Sequence, residues 1–516
     1  MIYMMRRISM KMNNRLIHFD EPCIEFGYSQ ASEDSRDGLT LFGPYETTTG
    51  EMKIGVIGTS NGIEAYKSFS KTANDPIYTN SAGRPFFPGF HSVFGLKWTA
   101  IPMATIVINE SDINRLIATE NLYERTYQLV SIFLDALINY IKTEEKQVNL
   151  WYIIIPREIW IKCRPQSYSK GSAITKKRIQ IYKSGQISLF PVEDEQIASF
   201  LKMYESDSDF HDQMKARLLF EKFETPVQIM VEDTLLFRDK TGKPYNDDMR
   251  AHVMWTQSTS LYYKLGYLPW KLTDIREGVC YIGLVFKTLQ GYQQREGYAC
   301  CAAQMFLDSG DGMVFRGNIG PWKSTDEKTY HLNAEAAYDL IDKALNSYHL
   351  TTGDFPKELF IHGRTQFTDE EWLGFNQAIK DHDERTKLVG VTIDENDSFK
   401  LYKDNHSKRF RYGIMRGLAL IVDERNAYLW TKGFIPRIET TNHLEVARPL
   451  RITVSRGDCS IETVLKDILC LTKLNYNACL YGDGLPVTLR FSDKIGNILT
   501  AINDVNWKAL PFKYYI

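Results

Sequence analysis

Apolar and polar positions along the chain alternate between two signatures, short apolar runs and residues spaced at helical intervals. Residues 53–58 (KIGVIG) form such a run, pass through Thr59-Ser60-Asn61-Gly62 and lead into a helix expected over 63–70. Leu122, Tyr127, Leu129, Val130, Phe133, Leu134 and Leu137 predict a long amphipathic helix over 121–142. Residues 148–155 (VNLWYIII), closed by Pro156, read as a buried strand. A helix over 209–220, a strand over 226–231 and a helix over 255–265 ended by Gly266 continue the alternation.

From Val279 the pattern changes. Residues 279–287 (VCYIGLVFK) are a strong strand, and 297–307 and 312–317 follow as strands turned at Gly310-Asp311-Gly312. A helix over 334–347, strands over 358–362 and 387–393, and a helix over 459–471 complete a mixed sheet with helices. With 516 residues, two domains are expected. No Pro- or Ser-rich linker separates them, so they should pack tightly. There is no internal repeat and no low-complexity tract.

Composition narrows the picture. Lys plus Arg is 62 against 64 Asp plus Glu, so any nucleic-acid surface is a local patch on a balanced chain. The eight cysteines are scattered without a CxxC pair, which argues against a zinc or disulfide framework and for reduced thiols in a cytoplasmic protein. No apolar run approaches the ~20 residues that cross a bilayer. Residues 1–14 are basic but lack the apolar core of a secretory signal.

Two patterns invite chemistry. Gly55-x-x-Gly58-x-x-x-Gly62 follows a strand, but its spacing is not GxGxxG and no acid stands at a strand end about 20 residues on, so a plain βα turn is the better reading. A nucleotide-binding α/β enzyme built on that turn is a weaker alternative. His211-x-x-x-Lys215 places a titratable ring and a permanent cation on one helix face, beside a start that Asp209 can cap. Gln228 on the next strand and Lys264 at the end of the following helix extend this into a phosphate cage, in which charge-assisted bonds from lysine are the strong ones.

The series His211, Lys215, Gln228, Lys264, followed by the 279–287 strand, resembles the MID-to-PIWI passage of prokaryotic Argonautes. Leu474-Asn475-Tyr476-Asn477, residues 486–494 (PVTLRFSDK) and the tail 512–516 (FKYYI) resemble the end of a PIWI domain. The likeness covers nearly the whole chain and is nearest to the short Argonautes. Phe42-Gly43-Pro44, residues 86–90 (FFPGF) and 300–306 (CCAAQMF) resemble the Argonaute subunit of TIR-APAZ systems. The resemblance implies an α/β fold: a Rossmann-like MID domain with its lead-in over 1–275 (core about 111–275), then an RNase H-like PIWI domain over 276–516. It implies that His211, Lys215, Gln228 and Lys264 hold a guide 5′ phosphate, and that Mg²⁺ bridges the guide phosphates to the carboxylate of Ile516.

An active PIWI domain needs clustered carboxylates holding two metal ions about 4 Å apart. The first acid sits in a Gly-x-Asp strand, and here Ile282-Gly283-Leu284 leads to Val285. The second position falls at Gly363 in Ile361-His362-Gly363-Arg364-Thr365, and Asp493 alone matches an acid of the set. Asp493 is therefore expected to be structural, paired with Lys494 or Arg490, and Asp369-Glu370-Glu371 to be the first turn of a helix. The chain is expected to be a catalytically inactive subunit that binds a 5′-phosphorylated guide RNA and recognises complementary single-stranded DNA. By the same resemblance it pairs as a heterodimer with a TIR-APAZ protein. That partner's TIR effector hydrolyses NAD⁺ once target binding drives oligomerisation, in defence against plasmids or phages. A sirtuin-APAZ partner, or an active guide-directed nuclease, are the alternatives.

Overall fold

The computed structural model describes residues 15–80, 84–144, 147–165, 167, 203, 206–288, 299–308, 310, 312–320, 322, 329–395, 399–401, 414–438, 447–502 and 509–516. Within them lies a parallel sheet in the spatial order Ala104–Val107, Ile54–Gly58, Leu150–Ile155, Val227–Val231. The strand Leu150–Ile155 is buried throughout, which is why its sequence is an unbroken apolar run. Alternate residues feed opposite layers. Trp151, Ile153 and Ile155 pack with Leu129, Phe133, Phe210 and Met214 from the helices Leu122–Thr143 and Phe210–Phe220. Tyr152 and Ile154 share the other core with Tyr66 and Phe69 of the helix Ser60–Thr72 and with Trp255 and Tyr262 of the helix Asp247–Lys264.

The second sheet has ten strands: Arg15–His18, Leu418–Ile421, Asn426–Leu429, Leu450–Arg456, Lys387–Glu395, Glu358–Gly363, Val279–Thr288, Ala299–Leu307, Gly312–Gly320 and Leu510–Pro511. Val279–Thr288, Ala299–Leu307 and Gly312–Gly320 are an antiparallel meander, whereas Glu358–Gly363 runs parallel to both of its neighbours. The crossover helices Ala334–Thr352 and Asp369–His382 cover one face. The helices Ile461–Leu471 and Ser492–Thr500 cover the other. Gly283 permits this second layer: a Cβ there would lie 1.9 Å from the Thr488 carbonyl oxygen, so the backbone preceding Ser492–Thr500 rests directly on the strand.

The two units are tied together at depth. Trp270 Nε1 donates to the Lys473 carbonyl oxygen (3.1 Å), and Tyr476 Oη donates to the Trp270 carbonyl oxygen (2.8 Å). A small sheet places Ile24–Glu25 between Ala31–Ser32 and Lys271–Leu272. Glu21 accepts from Arg416 (2.9 Å) and faces Lys473 (2.5 Å), both buried. Removing one member of such a pair typically costs about 3–5 kcal/mol because the other charge is left uncompensated. The first strand, Arg15–His18, joins the edge of the ten-stranded sheet although it precedes the four-stranded unit in sequence.

Boundaries differ where packing is one-sided. The helix expected over 255–265 runs Asp247–Lys264, capped by Asn246, because its first turns carry Asp247, Asp248 and Arg250 on an exposed face and hide their period. The strands Ala104–Val107, Leu418–Ile421 and Asn426–Leu429 are only four residues long, too short for a period to show, and Leu450–Arg456 joins them in going unpredicted although its apolar residues alternate. Residues 297 and 298 of the expected second meander strand, and Asp311 of its turn, lie outside the described residues.

Candidate functional site

The helix Phe210–Phe220 begins at Asp209, whose carboxylate accepts from the amides of His211 (2.9 Å) and Asp212 (3.3 Å). That cap fixes the rotation of the helix, and the i, i+4 spacing puts His211 and Lys215 on one face. Lys215 is 2% exposed and donates to the main-chain oxygens of Tyr515 (3.0 Å) and Ile516 (2.6 Å). Lys264, also 2% exposed, donates to the Val227 carbonyl oxygen (3.1 Å) and to Gln228 Oε1 (2.5 Å). Phe512, Tyr515 and Ile516 are buried, so the tail is packed inside. His211, Lys215, Gln228, Lys264 and Ile516, spread over more than 300 positions of sequence, thus meet at one place.

The electrostatics of this place are unusual. A buried lysine is normally paired with a carboxylate. Here, among the described residues, Lys264 faces only neutral oxygens, Lys215 has the Tyr515 carbonyl, the Ile516 carboxylate and the charge of Asp212, and Lys494, from the helix Ser492–Thr500, acts on both lysines. Burial first, and mutual repulsion second, push the Lys215 and Lys264 ammonium groups well below the usual lysine range; Lys494 is lowered too, mainly by burial. Burial also holds the His211 ring well below its ordinary value, helped by Lys215, Lys494, Lys264 and Arg164. His211 is therefore a neutral ring, its Nδ1 2.9 Å from Asp212 Oδ1. A cluster of buried cations is an arrangement that an anion stabilises: a phosphate monoester brings roughly −1.5 to −2 charges at neutral pH and would favour the charged form of the lysines.

Lys494 joins this site although the sequence pattern does not place it here. Its signal was present: one lysine in a segment whose packed face is Ile495, Ile498 and Leu499. Beside the lysines stands a group of acids. Burial pushes Asp207 up to about 7 and Asp209 up to about 6, with like charges of their neighbours adding to it. Asp209, His211 and Asp212 bring three potential metal-ligand atoms within 4.8 Å, the one such group among the described residues. The helix cap and the His211 ring contact already account for its geometry.

The expected degenerate positions gather elsewhere, at one end of the ten-stranded sheet. Val285 is buried on the strand Val279–Thr288, Gly363 ends the adjacent strand Glu358–Gly363, and Asp493 stands in the first turn of the helix lying across them. Asp493 Oδ1 is 3.9 Å from Lys287 Nζ, and its Oδ2 is 3.9 Å from Arg364 Nη2. The expected pairing of Asp493 with Lys494 or Arg490 is not what forms. Arg490 donates to Asp483 (2.6 Å), and Lys494 turns inward because neighbouring helical residues point about 100° apart.

His362, beside Gly363, is a core histidine: burial lowers it to about 3, and its Nδ1 lies 2.9 Å from Thr488 Oγ1. Asp369-Glu370-Glu371 is the expected helix start. Glu371 completes a capping box with Thr368 and accepts from the Leu332 amide (2.9 Å). Gly58 and Gly62 serve the βα turn, since a Cβ on either would come within 2.8 Å of Ile154.

No protein-family model matches the chain, and neither does any curated protein. Solved structures do. Clostridium butyricum Argonaute bound to a guide DNA and a 19-mer target DNA matches with a TM-score of 0.61 at 16% identity, over 95% of this chain and 53% of that one. Drosophila Piwi matches at 0.57 and 12% identity, over 97% and 56%. Aa-Ago with externally bound siRNA matches at 0.55 and 14% identity, over 98% and 56%. The chain thus spans little more than half the length of these structures. At these identities the likeness is one of fold: a parallel sheet and a large mixed sheet, each with its helices, arranged as in the MID and PIWI domains of Argonautes.

Proposed function

We propose that this chain is a guide-binding subunit of Argonaute type that does not cut its target. It binds a short 5′-phosphorylated RNA in the pocket of His211, Lys215, Gln228, Lys264 and Lys494, and the paired guide selects complementary single-stranded DNA. The observation that carries this reading is the convergence of three buried lysines, Lys215, Lys264 and Lys494, beside the Ile516 carboxylate, with Asp212 as the one side-chain carboxylate acting on Lys215 and Lys494. Charge-assisted bonds from three ammonium groups in a water-poor pocket favour a terminal phosphate over any neutral chain end. Gln228 can turn its amide N–H toward the phosphate once Lys264 is drawn to the anion. Sequence selectivity then comes from base pairing, the protein reading the backbone.

Mg²⁺ fits the same place. It takes hard oxygen ligands and keeps substrate phosphates and waters in its shell, so one protein oxygen, that of Ile516, is a sufficient anchor. A bound ion would be held by the Ile516 carboxylate and would supply positive charge that offsets repulsion of the guide phosphates.

Inactivity rests on residue identity: Val285 and Gly363 carry no ligand atom, and Asp493 is flanked by cations. A chain that binds without cutting needs an effector. The resemblance of its 42–44, 86–90 and 300–306 segments to TIR-APAZ-associated Argonautes supports a TIR-APAZ partner whose TIR subunit hydrolyses NAD⁺ after target-driven oligomerisation in the cytoplasm. The experiment is direct. Guide-loaded protein is incubated with labelled complementary DNA and Mn²⁺, and the nucleic acid that co-purifies is sequenced. Short 5′-phosphorylated RNA and an intact target are expected; a discrete cut opposite the guide centre, or bound dinucleotide in place of RNA, overturns the reading.

A further inference from the structure

In a cleaving RNase H-like site two divalent ions flank the phosphate that is attacked, and the carboxylates exist to hold them. Without metal, such a carboxylate cluster repels a nucleic-acid backbone. In this chain the balance at the same place is reversed. Lys287 and Arg364 stand 3.9 Å to either side of Asp493, and the next carboxylate that Lys287 acts on, the buried Asp212, has Lys494 and Lys215 as its larger partners, so fixed cations outnumber carboxylates here without any metal. The fold positions all three. Residues 283, 285 and 287 share one face of their strand. Gly283 lets the backbone at Thr488 rest on that face, and Gly496 lies against the Lys287 stem, so the helix carrying Asp493 is fixed over Lys287. Arg364 follows directly on the adjacent strand Glu358–Gly363. Both ion pairs are long and the Arg364 and Asp493 side chains are 54% and 77% exposed, so neither cation is committed to a short internal contact with Asp493.

We propose that Lys287 and Arg364 form a second phosphate site, which grips one phosphodiester of the target strand where a cleaving enzyme would place its metal ions. This rests on the guide-binding reading above. The ligand class is a phosphodiester monoanion, held by bidentate or single charge-assisted bonds from Arg364 and a point charge from Lys287. Asp493 weakens the grip, which keeps the target releasable. The loss of the metal-holding acids is then a conversion: a surface that turned a bound phosphate over becomes one that retains it.

The test uses full-length, guide-loaded protein and complementary DNA targets, each carrying a single neutral methylphosphonate linkage at a different position. With wild-type protein, one linkage facing the sheet end should release target about fivefold faster than its neighbours do. In Lys287→Ala/Arg364→Ala that position should lose its distinction, and the unmodified target should leave about fivefold faster. Asp493→Asn should act in the opposite sense, slowing release about twofold. Should the double variant fold poorly, Arg364→Gln, at an exposed position, carries the same test. A flat methylphosphonate profile alongside normal guide-dependent binding overturns the second site alone, as does Asp493→Asn hastening release. Absence of any guide-dependent target binding overturns the guide reading and the second site together.

Discussion

One helix, Ser492–Thr500, serves two charged places that differ in nearly everything else. Lys494 enters a buried pocket with Lys215 and Lys264, while Asp493, the preceding residue, stands at the surface between Lys287 and Arg364. In the pocket every ammonium has given up water, so each is lowered below the lysine range, with Asp212 offsetting only part of the cost at Lys215 and Lys494. At the surface the charges remain hydrated and cost little, and salt screens them. The contrast teaches that burial, rather than the number of cations, separates a site built to hold one anion tightly from one that touches a backbone lightly. It also explains how a chain of net charge −2 can carry nucleic-acid sites at all.

The contrast can be broken in order of expected effect. Lys215→Ala removes the cation that ties the 210–220 helix to the tail, and should weaken a 5′-phosphorylated guide about 100-fold while barely affecting a 5′-hydroxyl guide, read by competitive binding. Equal losses for both guides would mean a folding defect rather than a phosphate contact. Lys494→Met should weaken the phosphorylated guide about tenfold and lower the melting temperature of the unliganded protein, since Lys494 is the foremost charge partner of the buried Asp212. If the melting temperature rises instead, repulsion among the lysines outweighs the partnership with Asp212.

Two pH effects are smaller. Because Lys215, Lys264 and Lys494 are lowered in the free protein, affinity for a phosphorylated guide should decline with rising pH, and should do so at lower pH than ordinary lysines would allow. A titration by fluorescence anisotropy that stays level up to the ordinary lysine range counts against the depressed lysines. For Asp207, raised from 3.8 to about 7, the folded state binds the proton more tightly than the unfolded state. Its favourable contribution is complete below about pH 4 and is lost as pH rises through 7. Asp207→Asn should therefore stabilise the unliganded protein by roughly 1–2 kcal/mol near pH 7.5 and by almost nothing near pH 4, measured by denaturant unfolding at both. An equal gain at both pH values would point to packing instead of ionisation.

The apolar pattern by itself determined the strands Ile54–Gly58, Leu150–Ile155 and Val279–Thr288 and the helix Leu122–Thr143, because a segment covered by its neighbours must advertise that cover in its own residues. It also singled out the His211–Lys215 face, where two residues on one turn already share a direction. What it could not determine is anything that depends on which segments meet. The edge strand Arg15–His18, the burial of Lys494 in place of a partnership with Asp493, and the flanking of Asp493 by Lys287 and Arg364 all join residues from separate segments. A charged side chain reads the same in sequence whether it ends in water or among other lysines, and only the packing of the helix Ser492–Thr500 against the 210–220 helix and the strand Val279–Thr288 decided which.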